Sequence, residues 1–485
     1  MKKTKTQKLL QWDTRDYVTN VIVYVANLLI IAGLFMAAIW FNVTDFFDYF
    51  SNLTSFIHFL TLLMLVLGMM ALYFAFEERD FMKNAINSEM LFLILELSLV
   101  ICYVAGRYIN IYLRPLALVT VLTLYLSNRR TAIFMNVIFC VIIFLFDSFA
   151  GTSFSIGNYP ALIMGFTSGM IAAFCLDKVN ARLKSLIMSL LISLPSLLCV
   201  AMTIIENGGD VITALIYGAC SGPLTVAAFL VLLPIFESMF KKVSYFKYAE
   251  LTDHRSKLIR KMIQQAPGTF NHSIVVSNIA EACATAIGED ALLARTCAYY
   301  HDVGKLRRPE FFTENQADGK NPHDDLTPEL SANIIKSHTQ DGYQLIMKNR
   351  LPKEIADVSV QHHGTLPILY FYNKAKTFTD GDVDISQYCY AGPKPQSKIA
   401  TIIMIADSCE AATRTLQDRS RENVKSVVRK IVNDRMALGQ FEECEITLKE
   451  LNIIIHTVVN SLTGVYHSRI EYPKVNLDGL QTNEQ

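Results

Sequence analysis

The chain has 485 residues, and its 44 basic side chains are balanced by 44 acidic ones. Hydrophobic residues make up 52% and charged residues only 18%, whereas soluble domains carry about 25% charged residues. This composition excludes a disordered chain and argues against an ordinary cytosolic enzyme. The neutrality averages two unlike parts, since residues 1–240 contain 14 side chains of each sign and residues 241–485 contain 30 of each. Because neither part is basic overall, we expect no nucleic acid polymer as a partner.

A membrane domain is predicted for residues 20–236, after a cytosolic N-terminal segment at residues 1–19. A helix that crosses the bilayer core needs roughly 20 mostly apolar residues. Eight runs of the sequence approach this length: 20–41, 56–76, 88–106, 110–126, 132–150, 159–176, 185–205 and 211–236. The fourth is the weakest, because it is short and carries Arg114 near its start. The first is interpreted as an anchor, since it is too long for a signal peptide and acidic residues precede it.

Basic residues between these runs predict the orientation of the membrane domain. Short loops rich in Lys and Arg lie on the cytoplasmic side of a membrane. Such residues precede the first run and follow the second, fourth, sixth and eighth, whereas loops 42–55, 151–158 and 206–210 contain none. Only Arg107 lies on the opposite side. An even number of spans, with both termini in the cytoplasm, accounts for this alternation.

Two acidic side chains, Glu96 and Asp147, fall within or near the predicted spans. An acid inside a membrane is a candidate for an ion or ligand pathway. The favoured interpretation is a carboxyl group that faces the helix bundle and pairs with a polar neighbour or, for Asp147, a residue at the membrane interface.

The second part of the chain is predicted to be soluble and helical. Residues 237–268 mix polar and apolar side chains and are interpreted as an amphipathic connector. Over residues 269–475 apolar side chains recur every three or four positions without strand alternation, and the polar tail 476–485 is expected to be flexible. The predicted fold class is therefore all-α: a polytopic transmembrane helix bundle followed by a cytosolic all-helical domain. The ten cysteines contain no C-x-x-C pair, which is consistent with the reducing cytosol.

Five of the ten histidines lie with two aspartates in short motifs of the helical domain. The motifs are FNHS, YYHDVGK, KSHTQDG, VQHHGT and IADSCEA, and the residues are His272, His301, Asp302, His338, His362, His363 and Asp407. Imidazole nitrogens suit Fe, Mn and Zn, and one carboxylate can bridge two cations. Helical bundles build internal metal sites from side chains of several helices in this way. Seven ligands with one bridging aspartate are enough for a two-metal site.

The alternative is that these histidines are ordinary surface or core residues. A single histidine, or an adjacent His-Asp or His-His pair, would favour that reading, but five such motifs in one helical domain favour metal binding. The histidines outside the motifs are interpreted as non-ligands: His58, His254, His456 and His467. His323, in NPHDD, could reach the site from its loop, although a role in the turn is the simpler interpretation.

Within residues 249–472 the sequence resembles the bacterial seven-transmembrane HD-domain phosphohydrolase family, whose characterised members are PgpH-type cyclic-di-AMP phosphodiesterases. The resemblance rests on the stretches QQAPGTFNHSIVVSNIAEA, LLARTCAYYHDVGKLRRPEFFTENQ, NPHDDLTPELSA, QHHGTLPILYFYNKA, AGPKPQSKIATIIMIADSCEAATR and GVYHSRIEYP. Val303 replaces the isoleucine common in the family, and the membrane part matches by architecture alone. Many members carry a large extracytoplasmic domain after the first anchor, and here only residues 42–55 occupy that place.

The resemblance also implies which residue does what. One metal ion would be held by His272, His301, Asp302 and Asp407. The second would be held by His338, His362 and His363, with Asp302 as the bridge. Two divalent ions, Mn or Fe, are the expected cofactors. Asp302 and Lys305 are the implied catalytic residues, with Lys305 facing a substrate phosphate.

The function implied by the resemblance is hydrolysis of cyclic-di-AMP to linear pApA, by an enzyme in the bacterial inner or plasma membrane. One alternative is an HD hydrolase for another nucleotide. Enzymes for cyclic-di-GMP usually carry a GYP motif that QHHGTLP lacks, and a guanosine tetraphosphate hydrolase would not need the paired histidines. The other alternative is a non-catalytic membrane nucleotide sensor, which the complete set of seven ligands disfavours. A homodimer formed through the connector is left open.

Overall fold

The computed structural model describes residues 14–42, 53–78, 84–149, 159–177, 179, 181–207, 210–316, 321–378 and 382–465. These residues form helices, turns and one isolated bridge between Pro367 and Cys389, and no strand occurs among them. The predicted all-α fold class is confirmed. The chain divides into two compact units, Met1–Phe246 and Lys247–Gln485.

The first unit consists of long apolar helices. They are α1 Thr14–Asn42, α2 Leu53–Phe76, α3 Ala85–Tyr108, α4 Leu118–Leu126, α5 Arg129–Phe149, α6 Tyr159–Cys175, α7 Arg182–Asn207 and α8 Val211–Phe240, with a 3₁₀ turn at Ile111–Leu113. Six of these helices are long and apolar enough to cross a membrane, and two shorter apolar stretches lie at Ile111–Leu126 and Leu162–Cys175. Each of the eight predicted runs overlaps one of these eight stretches, and the count of eight spans stays a prediction.

Several of the sequence predictions fall on residues outside the described ranges. These are most of the N-terminal segment (1–13), the tail 476–485 with the end of the predicted HD-type domain (466–475), and the greater part of loops 42–55 and 151–158.

A buried ion pair lies within the first unit. Arg114, directly before Pro115, donates two hydrogen bonds to Asp147, Nη1 to Oδ2 at 2.6 Å and Nη2 to Oδ1 at 3.0 Å. Gly106 makes room for the guanidinium group, because a Cβ atom there would lie 2.0 Å from Arg114 Nε. Paired, bidentate geometry is what a charge needs in an apolar interior. This pairing is one of the two arrangements favoured for Asp147 from the sequence.

The second unit is a helical domain with its own apolar core. Its helices are α9 Tyr245–Leu251, which begins just before the unit boundary, α10 Lys257–Gln265, α11 Pro267–Ile287, α12 Ala291–Tyr300, α13 Pro328–Lys348, α14 Lys353–Gln361, α15 Leu369–Phe378, α16 Lys398–Arg414, α17 Arg421–Ala437 and α18 Leu448–Val465. Five 3₁₀ helices connect them: Val303–Arg307, Pro309–Phe311, Thr313–Asn315, Pro322–Asp325 and Ile385–Tyr388. Within the predicted connector 237–268, Leu258, Ile259 and Met262 belong to this core.

Helix α16 passes through the middle of the second unit. Every residue from Ile399 to Asp407 is buried, and Asp407 is the only charged side chain in that stretch. Its first turn is capped by the Ser397 hydroxyl, which accepts a hydrogen bond from the backbone N–H of Ala400. A carboxylate delivered into an apolar core is costly unless other groups compensate its charge. The residues around Asp407 that compensate its charge therefore mark a candidate functional site in this domain.

Candidate metal centre

The structure brings all seven sequence-predicted ligand residues together. His272, His338 and Asp407 are carried by α11, α13 and α16, whereas the His301–Asp302 and His362–His363 pairs directly follow α12 and α14. Two groups of possible ligand atoms, each within 4.8 Å of one another, are formed by His338, His362 and His363, and by His272, His301 and Asp302. Asp407 lies 3.0 Å from His272 and 3.8 Å from His363. Side chains separated by up to 135 residues thus meet at one point.

Asp302 lies between the two groups. Its Oδ1 atom is 3.3 Å from His338 Nε2 and 3.6 Å from His362 Nε2. Its Oδ2 atom is 3.2 Å from His301 Nε2 and 3.7 Å from His272 Nε2. One carboxylate oxygen therefore faces each group, which is the arrangement that a bridging ligand requires.

The hydrogen bonds of three histidines define their tautomers. In each ring, Nδ1 lies next to the backbone carbonyl oxygen of the residue three positions earlier, and a carbonyl oxygen can only accept. Nδ1 therefore carries a hydrogen, and in the neutral ring Nε2 presents its lone pair to the centre. The three bonds run from His301 to Ala298 at 2.7 Å, from His338 to Ile335 at 2.6 Å and from His362 to Ser359 at 2.8 Å.

These lone pairs test whether metal ions fit the site. His301 Nε2 and Asp302 Oδ1 are buried without a hydrogen-bond partner. His338 Nε2 and His362 Nε2 face each other at 3.3 Å, and in the neutral rings neither nitrogen has a hydrogen to donate. Buried acceptors that converge without a donor are costly, and divalent cations would satisfy them. Since imidazole and carboxylate are ligands that such ions accept, the residues present fit two metal ions.

The protonation states favour the same conclusion. Burial opposes the charged form of Asp407, but the hydrogen bond from His272 and the nearby histidines hold its pKa below the ordinary value. Burial lowers the pKa of His338 to about 3 and that of His363 well below its usual range. For His272, burial is outweighed by hydrogen bonds to Asp407 and Glu410, which raise its pKa to about 10. The negative charge of Asp407 and Glu410, which stabilises a proton on His272, would equally stabilise a metal cation bound at this position.

Glu410 contacts the centre and was not singled out from the sequence motifs. Its Oε2 atom accepts a hydrogen bond of 2.7 Å from His272 Nδ1, and its Oε1 atom accepts one of 2.7 Å from Arg414. Glu410 lies three residues after Asp407, so both carboxylates occupy one face of α16. A carboxylate that binds the second nitrogen of a ligating histidine fixes the orientation of the ring. The position of Glu410, one turn beyond a predicted ligand, was the signal available in the sequence.

Lys305 lies against the centre, and it has two carboxylate partners. Its Nζ atom is 2.8 Å from Asp302 Oδ2 and 2.8 Å from Glu314 Oε1, and it lies 5.0 Å from the centroid of the Phe312 ring. The Thr269 hydroxyl also donates to Glu314 Oε1, at 3.1 Å. Burial opposes the charge of Lys305, but Asp302 and Glu314 raise its pKa above the ordinary value. Lys305 is therefore a permanent cation beside the central carboxylate.

His323 belongs to neither group of ligands. Its Nε2 atom donates a hydrogen bond of 3.0 Å to the carbonyl oxygen of Phe311, and its ring lies 5.0 Å from that of Phe371. These contacts hold the 3₁₀ turn Pro322–Asp325 in place, which agrees with the simpler interpretation of its role. Tyr390, in contrast, was not predicted and stacks on His363 with ring centroids 4.4 Å apart.

The fold and the centre define a class of protein. It is a membrane protein whose second unit is a helical domain with two groups of His and Asp side chains that could bind metal ions. Comparison with protein families agrees. Residues 53–244 match the family described as a 7TM receptor with intracellular HD hydrolase, and residues 269–412 match the HD domain. The chain belongs to this family of seven-transmembrane proteins with an intracellular HD domain.

Two curated relatives match much of the chain. The cyclic-di-AMP phosphodiesterase PgpH of Bacillus subtilis (strain 168) is 39% identical over 406 residues, which cover 82% of this chain and 56% of that protein. PgpH of Listeria monocytogenes serotype 1/2a (strain 10403S) is 37% identical over 374 residues, which cover 75% of this chain and 50% of that protein. The chain thus spans about half the length of the curated relatives it matches.

A solved structure is also similar to part of the chain. The HD domain of L. monocytogenes PgpH in complex with cyclic-di-AMP is 46% identical in sequence, and the match covers 44% of this chain and 100% of that one with a TM-score of 0.43.

Proposed function

We propose that this protein is a membrane-bound, metal-dependent phosphodiesterase that hydrolyses cyclic-di-AMP to linear pApA. The observation that carries the proposal is the position of Asp302, whose two oxygens face separate groups of histidines. The substrate is proposed because both curated relatives are named cyclic-di-AMP phosphodiesterases. The reaction adds water across one phosphodiester bond, so the 3′-oxygen leaves with a proton and the product keeps a 5′-phosphate.

The proposed ligand sets follow the two groups of side chains. His272, His301, Asp302 and Asp407 would hold one ion. His338, His362 and His363 would hold the other, with Asp302 shared. Two divalent ions, Mn or Fe, would lower the pKa of a bound water and offset the charge of the phosphate in the transition state.

The chain's own residues then have distinct tasks. Glu410 keeps the His272 ring in its ligating orientation through the Nδ1 hydrogen bond. Lys305 supplies a fixed positive charge beside Asp302. A cation placed where negative charge develops on the phosphate oxygens stabilises the transition state. No serine or cysteine nucleophile is required.

We also propose the orientation predicted from the basic loops, with the N-terminus and the second unit in the cytoplasm of a bacterial cell. The membrane helices of the first unit support a protein of the inner or plasma membrane. The cytoplasm is also the compartment in which a cyclic dinucleotide messenger would reach the centre.

One experiment separates the proposed function from its alternatives. The full chain is reconstituted in lipid nanodiscs with Mn²⁺, and cyclic-di-AMP and cyclic-di-GMP are incubated with it in separate reactions. Mass spectrometry should detect pApA from the first substrate and much slower turnover of the second. Faster turnover of cyclic-di-GMP would overturn the substrate assignment. Bound metal without hydrolysis of either nucleotide would favour the sensor.

A further inference from the structure

Helix α10 has a cationic face that the proposed reaction does not use. Its apolar residues Leu258, Ile259 and Met262 are buried in the core of the second unit. On the other side of the helix Lys257, Arg260 and Lys261 are exposed. The helix contains no acidic residue, so every charged side chain on this face is positive.

The cationic face continues into a groove of about 360 Å³. The groove lies between α10, the 3₁₀ helix Val303–Arg307 and α13, and its basic lining residues are Lys257, Lys261, Arg307 and Lys348. Its lining includes no acidic side chain of the described ranges. Arg307 forms an ion pair of 3.1 Å with Asp341, whereas the three lysines have no ion-pair partner in the part of the chain that the structure describes. The groove is therefore suited to an anion.

This groove is distinct from the metal centre. None of the seven ligand residues lines it. Lys305 and Arg307 belong to the same 3₁₀ helix, but Lys305 contacts Asp302 whereas Arg307 contacts Asp341 and Gln344. An anion in the groove would consequently not compete with substrate for Lys305.

The position of the groove in the chain indicates which anion it meets. Only 16 residues separate the end of the last membrane helix, Phe240, from Lys257. Residues 241–261 contain seven Lys or Arg and two acidic residues, whereas residues 241–485 as a whole are neutral. Basic clusters directly after a membrane helix bind the anionic headgroups of the cytoplasmic leaflet.

We propose that the α10 face and its groove bind the phosphate headgroups of anionic lipids. The proposal rests on the cytoplasmic orientation proposed above and is independent of the phosphodiesterase activity. Its role would be to hold the catalytic unit at the membrane surface by charge. Each lysine near an anionic surface contributes on the order of 1 kcal/mol, or about fivefold in binding.

The test measures the reactivity of single lysines in the full chain. The protein is placed in nanodiscs of phosphatidylcholine, with or without about a third phosphatidylglycerol, and labelled with a water-soluble amine reagent. Mass spectrometry should show that Lys257, Lys261 and Lys348 react about fivefold more slowly in the anionic discs. Lys430, exposed on α17, should react equally in both. Equal reactivity of the three groove lysines in the two lipids would overturn the proposal.

A second arm distinguishes lipid from a soluble anion. Inorganic pyrophosphate is added to the phosphatidylcholine discs, and protection by pyrophosphate without protection by phosphatidylglycerol would identify a soluble-anion site instead. The double variant Lys257→Glu/Lys261→Glu should lose the lipid protection of Lys348. The matched variant Arg429→Glu/Lys430→Glu should keep it. Hydrolysis of cyclic-di-AMP in phosphatidylcholine is measured in parallel, so a failure of the proposed activity is seen separately.

Discussion

Asp302 is the residue on which both halves of the proposed centre depend. Its carboxylate is 2% exposed and has one oxygen toward each group of histidines. We predict that Asp302→Ala abolishes metal loading and turnover together, with a fall in rate of at least about 100-fold, since even outer ligands matter tenfold or more. Metal content by mass spectrometry and hydrolysis of cyclic-di-AMP measure the two effects.

The control for this substitution is Asp324→Ala, which removes an exposed aspartate from the same domain. It should keep both metal and rate. Turnover at the wild-type rate in Asp302→Ala would exclude the bridging role of Asp302.

Glu314 is predicted to position Lys305. Once cations offset the charge of Asp302, Glu314 is the remaining carboxylate that holds the Lys305 ammonium group in place. Glu314→Gln keeps the shape of the side chain and removes its charge. We expect kcat/KM to fall about tenfold, because a hydrogen bond to a charged group is worth roughly 1.5–3 kcal/mol, while the metal content stays unchanged.

A double-mutant cycle of Glu314 and Lys305 tests whether Glu314 acts through Lys305. In a Lys305→Met background, Glu314→Gln should cause no further loss, since the two residues act as one unit. Glu310→Gln, an exposed glutamate of the preceding 3₁₀ helix, should have no effect. Additive losses in the double variant would show that Glu314 does not act through Lys305.

The individual residues of the centre were predictable to different degrees. The five histidines and two aspartates were selected because they form short motifs in one helical domain, and the structure brings them together. Glu410 and Glu314 were not selected, because isolated glutamates in amphipathic segments usually face solvent. Their partners, His272 and Lys305, lie 138 and 9 residues away. The first of these contacts depends on how α11 and α16 pack, which no local pattern encodes.

Close packing between two elements determines the distance from Asp302 to His338. A Cβ atom on Gly304, two residues after Asp302, would lie 1.9 Å from the carbonyl oxygen of His338 and 2.5 Å from the backbone nitrogen of Gly342. We predict that Gly304→Ala destabilises the second unit by about 1–3 kcal/mol and weakens metal binding, since α13 must move. Thermal unfolding and metal titration measure the two effects.

A second glycine offers the matched control. Gly464, in α18, would place a Cβ atom in open space, so Gly464→Ala should leave metal affinity unchanged and stabilise its helix by roughly 0.5–1 kcal/mol. If Gly304→Ala bound metal as the wild type does, the contact with α13 would not govern the geometry of the centre.

Among the elements, the helices of the first unit were predictable because apolar length alone indicates a membrane helix. Apolar length does not predict where a helix is interrupted, as the fourth run, 110–126, shows. The structure interrupts it after Ile111–Leu113, and α4 begins only at Leu118. Pro115 has no backbone N–H, and Arg114 turns toward Asp147. The break before the short helix thus coincides with a charge pair that involves a residue 33 positions away.

At the scale of the whole molecule, each compact unit has its own apolar core. Both groups of possible metal ligands found in the described ranges belong to the second unit. We predict two unfolding transitions for the full chain in detergent. A chelator should lower the midpoint temperature of only one of them, that of the second unit. Ions present at 100 times their Kd stabilise a folded unit by about 2.7 kcal/mol. Scanning calorimetry with and without chelator measures the shift.

Asp302→Ala is the control for the chelator experiment. Because this variant is expected to bind no metal, the chelator should shift neither of its unfolding transitions. A shift of both transitions in the wild type would contradict the assignment of the metals to the second unit alone.

The hydrogen bonds from histidine Nδ1 to the carbonyl three residues earlier have a consequence for the order of events in folding. Each bond connects atoms within a single helical turn, so each ring acquires its tautomer when its own turn forms. The imidazoles of His301, His338 and His362 are then preorganised before distant helices meet. Rotational freedom of these rings is lost during secondary-structure formation rather than during metal capture, which favours tight and rapid loading of the newly made domain.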